Sequence, residues 1–358
     1  MNAKRKIRRA LVTMLSVALL AACTLMPAMA ADPVTQVTFT KTIDMTNASG
    51  ATVPNATYTY AIASGDAVAA TATSPEIFAG VGTPTITASV SFGPQDVISG
   101  NTVSKTVTVN FDGVNFPHAG IYRYEITETD PTVAGLTCDE ENTIYLDVYV
   151  TNTTSGCAIT SYQMTTSDAA PTYGQDKAPT YSAKFTGDED AYKTYTFTVT
   201  KNIEGDMADL TGTFSIDVDF TNLSNGTKVT VDNVLTENGA INGGLSVNKS
   251  LGDEDTMTIT GVPADAVYTV VENLSSNAGY SVTYTHDSAP AADATYLDGE
   301  YTTVQDSAMG AASHAVTVIN TKNAVNPTGV IMNVAPYALM VVIAAAGAFV
   351  FLRKRAED

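Results

Sequence analysis

The sequence predicts an all-β protein with two tandem β-sandwich domains, set between an N-terminal export signal and a C-terminal membrane segment. The middle of the chain, residues 34–323, is rich in Thr, Val and Tyr, and the chain contains no Trp. Its short alternating runs are interrupted by Gly, Asn, Asp and Pro, a pattern typical of strands joined by turns. No segment shows a sustained helical period. A stretch of about 290 residues is long for one sandwich and sufficient for two.

Short runs with strand-like composition recur through this middle region at the spacing of sandwich strands. They are Val37–Lys41, Thr57–Ile62, Thr106–Phe111, Tyr122–Glu128, Thr143–Val150, Tyr195–Lys201, Thr213–Phe220, Thr256–Thr260, Tyr268–Glu272 and Ala315–Asn320. We expect each run to form a strand that turns one face toward a hydrophobic core.

Residues 1–30 have the pattern of a secretory signal peptide. Five cationic residues within the first nine precede an apolar run over residues 10–22, and Ala28-Met29-Ala30 closes the segment. This pattern predicts export, with cleavage between Ala30 and Ala31. A first membrane helix is the alternative, but the apolar run is short for a span of about 20 residues. Leu20-Ala21-Ala22-Cys23 also leaves a lipoprotein signal open.

The C-terminal region has three parts in register: Val325-Asn326-Pro327-Thr328-Gly329, an uncharged stretch over residues 330–352, and the basic triplet of residues 353–355. At about 1.5 Å per residue the uncharged stretch can cross the roughly 30 Å hydrocarbon core, with the basic tail on the cytoplasmic side. An ordinary membrane anchor would share the last two parts. The order of all three resembles the sorting signal of sortase substrates. That resemblance implies cleavage between Thr328 and Gly329 and transfer of the Thr carbonyl to an amine.

The charge of the chain excludes several classes of partner. The net charge is −19, and the two terminal segments hold eight of the 18 basic and two of the 37 acidic residues, so the middle carries −25. Such a surface repels nucleic acid and anionic lipid. Only Cys138 and Cys157 lie outside the signal segment. They flank one predicted strand, which leaves a single disulfide open but excludes a disulfide-stapled scaffold.

A weak internal repeat divides the middle region. Each half begins with a strand that ends in Lys41 or Lys201, and each later has an aromatic strand that ends in Glu128 or Glu272. We place the joint in the acidic stretch at 187–190. The predicted organisation is a signal peptide at 1–30, a first domain at 31–190, a second at 191–324, a sorting motif at 325–329, a transmembrane helix at 330–352 and a cytoplasmic tail at 353–358.

Strand periodicity directs three polar side chains of the second domain into its core. Side chains at i and i+2 share a face, so Lys201, Glu272 and Asn320 continue faces formed by apolar residues. Strand-end residues that turn to solvent, or a buried ion pair without further chemistry, are the simpler alternatives. Burial instead favours a neutral amine and a neutral acid. A neutral amine beside a carboxyl group and an amide can form an intramolecular Lys–Asn isopeptide bond with loss of ammonia.

Two motifs connect this pattern with a known family. Thr38–Asp44 is similar to a first-strand motif, and Phe111–Glu128 to an aromatic block ending in Thr-Glu, of the isopeptide-containing major pilins of Gram-positive bacteria. The resemblance, of the T-antigen type, covers the whole mature chain. It implies immunoglobulin-like sandwiches of the Cna-B/pilin type, with Lys201, Glu272 and Asn320 as the bond-forming residues of the second domain.

In the first domain the resemblance assigns Lys41 and Glu128 to the corresponding lysine and glutamate positions. The third member departs from the family pattern. The acceptor should follow a strand over Tyr181–Phe185, but Gly187 stands there and Asp188 comes next. Asp188 is the candidate acceptor for a Lys–Asp bond, and we expect it to need a bulge or a one-residue shift to face inward.

One further lysine is singled out by the resemblance. Residues 173–179 are similar to the context of the lysine through which backbone pilins are joined, which assigns Lys177 that role. Lys184 and Lys193 are nearby rivals. The implied partners are a class B or class C sortase, other pilin subunits and peptidoglycan, with host surface ligands as a further candidate. The implied location is the cell surface, after a transient membrane stage.

Other chemistries find little support in the sequence. His118, His286 and His314 are scattered and lack the spacing of zinc ligands, so we expect no metal site. No phosphate-binding loop or nucleophile elbow is present, and no cofactor or enzymatic activity is expected. Two classes of function remain open: a covalently joined pilus subunit, or a monomeric wall-anchored adhesin or accessory pilin that binds a host glycan or matrix protein.

Overall fold

The structure, a computed structural model, describes residues 33–139, 142–154, 156–174, 179–275 and 278–324, together with residues 337, 339–346, 348 and 349 near the C-terminus. Between residues 33 and 324 the described chain is built from β-strands, and residues 339–346 are helical. No described helix combines the length and apolar character needed to cross a membrane. The predicted signal peptide, the sorting motif and the cytoplasmic tail lie outside the described residues, as does part of the predicted membrane helix.

The first half of the chain contains twelve strands and the start of a thirteenth. They are β1 (Gln36–Asn47), β2 (Ala56–Ser64), β3 (Ile77–Ala79), β4 (Thr85–Ile86), β5 (Ser89–Phe92), β6 (Thr102–Asn110), β7 (Gly120–Thr129), β8 (Leu136–Thr137), β9 (Thr143–Thr153), β10 (Gly156–Thr165), β11 (Thr172–Tyr173), β12 (Pro179–Thr180) and β13 (Asp188–Glu204). The second half continues with β14 (Phe214–Thr221), β15 (Thr230–Val231), β16 (Val234–Leu235), β17 (Leu245–Leu251), β18 (Thr256–Pro263), β19 (Val267–Asn273), β20 (Ser281–His286), β21 (Ala292–Asp293), β22 (Thr295–Leu297), β23 (Glu300–Ala308) and β24 (His314–Thr321).

These strands form two pairs of facing layers. In the first half, a sheet in the order β10-β9-β7-β2-β5 faces a layer in which β4, β6, β1 and β13 are successive neighbours. In the second half, a sheet in the order β17-β14-β19-β23-β22 faces a layer that contains β15, β18, β13, β24 and β20. Each of the ten runs expected to be strands overlaps one of these elements, so the all-β prediction is confirmed.

Two separate hydrophobic cores lie between the layers. The first collects buried side chains from Val37 to Tyr192, and the second collects them from Phe197 to Val318. Alternation of polar and apolar residues along β1 places every second side chain in a core, as expected for a strand with one covered face. On β13 the same alternation holds at 188–192 and again at 197–203, whereas residues 193–196 between them are half-buried. On the other face of the β10-β9-β7-β2-β5 sheet lies a buried ion pair, in which Asp147 accepts two bonds from Arg123, at 2.7 and 2.8 Å, and one from the Tyr181 hydroxyl at 2.8 Å.

Strand β13 passes from the first core into the second without interruption. Its beginning pairs in parallel with β1, from Lys41 opposite Asp188 as far as Asn47 opposite Lys193. Its later part pairs with β18 and β24. The acidic stretch that we expected to be a joint is therefore the start of a strand. Asp188 and Asp190, on the covered face of that strand, point into the first core. The change of core falls between Tyr192 and Phe197.

Loops from the two halves are also joined by hydrogen bonds. The Thr230 hydroxyl donates to the Gly50 carbonyl oxygen at 2.9 Å, and the Gly135 amide donates to the Asp265 carboxylate at 3.1 Å. Gly50 has a φ of 77°, and a side chain there would overlap Thr260. Only glycine combines this left-handed backbone with so close an approach.

Candidate functional site

The three polar residues expected in the second core do meet there. Lys201 lies on β13 between inward-facing Val199 and Ile203, and Asn320 lies on the neighbouring parallel strand β24. Glu272 reaches them from β19 in the facing sheet. All three residues are fully buried. Uninterrupted strands carry the apolar faces directly into these polar positions, which is why alternation alone locates them.

Glu272 connects the other two side chains. Its two carboxylate oxygens lie 3.5 Å from the Lys201 ammonium nitrogen, and its Oε1 accepts a hydrogen bond from Asn320 Nδ2 at 2.5 Å. The Lys201 nitrogen also lies 4.8 Å from the centre of the Phe214 ring. Asn320 Oδ1 is buried and has no hydrogen-bond partner among the described residues. The arrangement holds an amine and an amide on either side of one carboxyl group.

Burial shifts both titrating groups of this cluster toward their neutral forms. Removal from water lowers the pKa of Lys201 to about 8, although the nearby Glu272 carboxylate opposes the shift. Burial likewise raises the pKa of Glu272, against the effect of Lys201 and the Asn320 hydrogen bond. A neutral amine is a nucleophile, and a protonated carboxyl group can donate to an amide oxygen. The cluster therefore has the chemical parts needed for amide transfer.

The first core holds a lysine cluster with a different composition. The Lys41 side chain is fully buried and contacts Asp188, with Glu128 Oε1 at 2.5 Å and Asp190 Oδ2 at 3.0 Å from Nζ. The Tyr58 ring covers the same nitrogen, with its centre 4.1 Å away. Three carboxyl groups thus surround one amine, where the second core has one carboxyl group and one amide.

Asp188 faces inward through a one-residue shift of the alternation and not through a bulge, the two possibilities that we expected. Residues 181–187 do not form a continuous strand, and Gly187 has a φ of 139°. Alternation counted from the expected strand over Tyr181–Phe185 is therefore broken before β13 begins. Within β13, Asp188 lies directly opposite Lys41 in the parallel pairing. The break at Gly187 allows Asp188 to occupy a position next to the lysine.

Asp190 is a member of this cluster that sequence reasoning missed. It lies two residues after Asp188 and therefore shares its buried face. The Tyr58 hydroxyl donates to Asp190 Oδ2 at 2.5 Å, and the Asp139 amide donates to Oδ1 at 3.1 Å. The i, i+2 spacing of the two aspartates was the available signal. It was hidden because the acidic stretch was interpreted as the joint between the two domains.

Neighbouring carboxylates shift the pKa of Lys41 in the direction opposite to that of Lys201. Burial alone would lower the pKa of Lys41, but Asp188 and Glu128 together raise it above its ordinary value. Burial and the adjacent Glu128 raise the pKa of Asp188 to about 7, and burial raises that of Glu128. The ammonium form of Lys41 is therefore favoured before any reaction, whereas Asp188 can be neutral near physiological pH.

The remaining residues singled out from the sequence are two cysteines, the candidate linkage lysines, the processing sites and the histidines. Cys138 and Cys157 are free thiols in the structure, so the disulfide left open is not formed there. Lys177, Ala30, Ala31, Thr328 and Gly329 lie outside the described residues. Of the rival lysines, Lys184 is exposed and Lys193 is half-buried. The histidines are not all scattered, because His286 and His314 come together, with ring centres 5.7 Å apart.

An all-β chain with a buried lysine, glutamate and amide or acid in each of two cores has the features of isopeptide-containing domains. Residues 37–186 match the family model described as Spy0128-like isopeptide containing domain, and residues 195–322 match one described as a domain of unknown function (DUF7601). A pilin of Streptococcus pyogenes serotype M1 is 25% identical over 332 residues, which cover 89% of this chain and 91% of the relative.

Solved structures share the fold. A major pilin from Streptococcus pyogenes has a TM-score of 0.57 at 18% identity, covering 81% of this chain and 99% of the pilin. The T3.2 major pilin from the same species has a TM-score of 0.53 at 20% identity, covering 82% and 100%. Residues 37–186 thus match the model of the Spy0128-like isopeptide containing domain, and most of the chain is similar in fold to streptococcal major pilins. The resemblance seen in the sequence motifs is confirmed.

Proposed function

We propose that this chain is a structural subunit of a sortase-assembled pilus anchored to the cell wall. Two immunoglobulin-like domains would each be closed by an internal isopeptide bond, and a surface lysine would join successive subunits. The cluster of Lys201, Glu272 and Asn320 carries the proposal. An amine, a carboxyl group and an amide rarely share a fully buried site, because each would be costly there without a partner.

In the second domain, the neutral amine of Lys201 attacks the side-chain carbonyl carbon of Asn320. The side-chain amide of Asn320 can rotate by 180°, which exchanges its nitrogen and oxygen and lets a protonated Glu272 donate to the amide oxygen. The new bond joins Lys201 Nζ to Asn320 Cγ, and the Cγ–Nδ2 bond breaks. Glu272 relays a proton from the attacking nitrogen to the departing one, which leaves as ammonia. The short contact between Glu272 and Asn320 supports this route.

In the first domain, Lys41 and Asp188 would form the corresponding amide with loss of water. Lys41 must give up a proton before it attacks, and the Glu128 carboxylate, with Oε1 2.5 Å from Nζ, can take it. Glu128 corresponds to Glu272, because both reach the lysine from the facing sheet. Asp188 is the favoured acceptor, since it lies directly opposite Lys41 in the strand pairing and its raised pKa supplies a neutral carboxyl group.

Assembly and anchoring would use residues known here from the sequence alone. A sortase would cleave between Thr328 and Gly329 and pass the Thr328 carbonyl to Lys177 of the next subunit, or to peptidoglycan at the base. The signal peptide and the C-terminal apolar segment would serve only export and temporary retention in the membrane. The similarity to a streptococcal pilin supports a role as a pilus subunit.

The intact mass of the exported chain tests the internal bonds. A Lys–Asn bond releases ammonia (about 17 Da) and a Lys–Asp bond releases water (about 18 Da), so we expect a deficit of about 35 Da. Peptide mapping should locate the deficit in peptides joining Lys201 to Asn320 and Lys41 to Asp188. A mass equal to that of the processed sequence would refute both bonds.

Covalent assembly is tested separately on cells. Wall extracts boiled in detergent should give a ladder of multimers that Lys177→Arg abolishes and Lys184→Arg leaves intact. The matched lysine control lies in the same region of the chain and is exposed. Absence of a ladder from the unmodified protein would instead favour a monomeric adhesin or accessory subunit. A ladder that survives Lys177→Arg would assign the linkage to another lysine.

A further inference from the structure

His286, Asp287 and His314 converge at one end of the second core. His286 ends β20 and His314 begins β24, and the antiparallel pairing of these strands brings the two residues together. Asp287 has a φ of 52° and is fixed by two bonds with Ala315. Its amide donates to the Ala315 carbonyl oxygen at 2.7 Å, and its Oδ1 accepts from the Ala315 amide at 2.9 Å. The backbone thus directs Asp287 Oδ2 toward the two imidazoles.

His314 has hydrogen-bond acceptors at both ring nitrogens. Nε2 lies 2.8 Å from the Met309 carbonyl oxygen, and Nδ1 lies 2.8 Å from Asp287 Oδ2. A neutral imidazole carries only one N–H and can satisfy only one of these acceptors. With the Nε2–H bonded to Met309, a metal ion held between Nδ1 and Asp287 Oδ2 would satisfy both of these atoms. A ring N–H donated to a backbone carbonyl is the outer contact typical of a metal-bound histidine.

His286 supplies a second nitrogen on the same side. Its Nε2 lies 3.6 Å from Asp287 Oδ2 and 2.6 Å from the Tyr268 hydroxyl. Tyr268 can release this contact, because its hydroxyl also interacts with Ser307. The ligand atoms of His286, Asp287 and His314 all lie within 4.8 Å of one another. The three side chains are 26, 42 and 17% exposed, so an ion and a water molecule can reach them.

We propose that His286, Asp287 and His314 form a zinc-binding site. Two imidazole nitrogens and one carboxylate oxygen are a ligand set that suits Zn²⁺ better than Ca²⁺ or Mg²⁺, with a fourth position open to water. Tetrahedral zinc at about 2.0–2.2 Å from each ligand sets the ligand atoms roughly 3.3 Å apart. The distances of 2.8 and 3.6 Å therefore need adjustments of about half an ångström.

The ion would tie the end of β20 to the start of β24. That end of β24 is opposite the end that carries Asn320, and His314 pairs with Phe197 close to where β13 leaves the first core. Zinc would thus hold β24 at the end that the isopeptide bond does not reach. The site does not depend on the proposed function. In the part of the chain that the structure describes, none of its three ligands contacts Lys201, Glu272 or Asn320.

Titration calorimetry with ZnCl₂ on the metal-free exported chain tests the site. We expect one ion per chain, and a loss in affinity of at least about 100-fold for His314→Ala and for His286→Gln, since even outer contacts of a metal site are worth 10- to 100-fold. His118→Ala is the matched control and should bind as the unmodified protein does. His118 is exposed and lies in the first domain.

A second variant separates ligand loss from misfolding. Tyr268→Phe removes the hydroxyl that competes for His286 Nε2, so it should bind zinc at least as tightly as the unmodified chain. Zinc should also raise the melting temperature of the unmodified chain, since an ion that binds only the folded state stabilises it. No binding at 1:1 stoichiometry would overturn the proposal. Full zinc binding by the double variant His286→Gln, His314→Ala would overturn it as well.

Discussion

Glu272→Gln isolates the chemical role of the carboxyl group in the second core. Glutamine has the same shape and can still accept the bond from Asn320, but it can neither take a proton from Lys201 nor donate a carboxyl proton. If Glu272 relays protons, this variant keeps the residues in place and stops the reaction. The second domain should then remain open, with Lys201 and Asn320 unjoined.

The expected loss of stability follows from the length of chain that the bond closes. A bond between residues 201 and 320 spans 119 residues. The loop-closure relation for a cross-link of this length gives about 5 kcal/mol at 25 °C. For a domain of this size each kcal/mol corresponds to roughly 3–5 °C, so the melting temperature of the second domain should fall by about 15–25 °C. Glu272→Gln also leaves the unreacted Lys201 amine buried without a carboxyl partner, which acts in the same direction.

Calorimetry and intact mass should be measured on the same sample. We expect the mass deficit to shrink from about 35 to about 18 Da, the water lost in the first domain. Glu237→Gln makes the same charge change at an exposed position of the second domain and should alter neither quantity. An unchanged deficit in Glu272→Gln would show that bond formation does not need the carboxyl group. The proton-relay argument would then be wrong.

Three further outcomes are expected. Asp188→Ala should abolish the first-domain mass deficit, whereas Asp190→Ala should retain it; the reverse result by mass spectrometry would make Asp190 the acceptor. In Asn320→Ala, Lys201 stays a free amine whose folded pKa of about 8 lies below its ordinary 10.5. The folded state then binds fewer protons than the unfolded state, so its stability should rise as the pH goes from 8 to 10.5. A melting temperature that stays constant over this pH range would contradict the expectation. Asp147→Ala leaves its guanidinium partner buried and uncompensated, and should destabilise the first domain by about 3–5 kcal/mol in denaturant unfolding.

The second-domain cluster could be predicted from the sequence because its strands are regular. On β13 and β24 the alternation of apolar side chains runs without a break into Lys201 and Asn320, so counting by two gives the correct face. The same counting fails before Asp188, because Gly187 interrupts the strand and resets the alternation. Sequence alone contains no direct sign of such a reset. Asp190 was missed because the acidic stretch was interpreted as a joint between domains.

Contacts that depend on strand pairing were beyond sequence reasoning. His286 and His314 stand at the ends of different strands, and only the register of β20 with β24 brings them together. The continuity of β13 was likewise obscured, because its polar beginning looks like a linker when its partner strand is unknown. The first-domain carboxylates show the corresponding limit for electrostatics. The pKa of Lys41 is lowered by burial and raised by neighbouring carboxylates, so its direction depends on how many acids surround the amine. Only the fold determines that number.

The continuity of β13 has a consequence for how a chain of such subunits carries tension. Along the backbone, Lys177 and Thr328 are separated by 151 residues. With Lys201 joined to Asn320, the covalent route has 24 residues to the lysine and eight beyond the asparagine. A pull between neighbouring subunits would then run down one strand and across one amide bond. Residues 202–319, the greater part of the second domain, lie within the loop that this bond closes. They would bear no load and could not be extended by the pulling force.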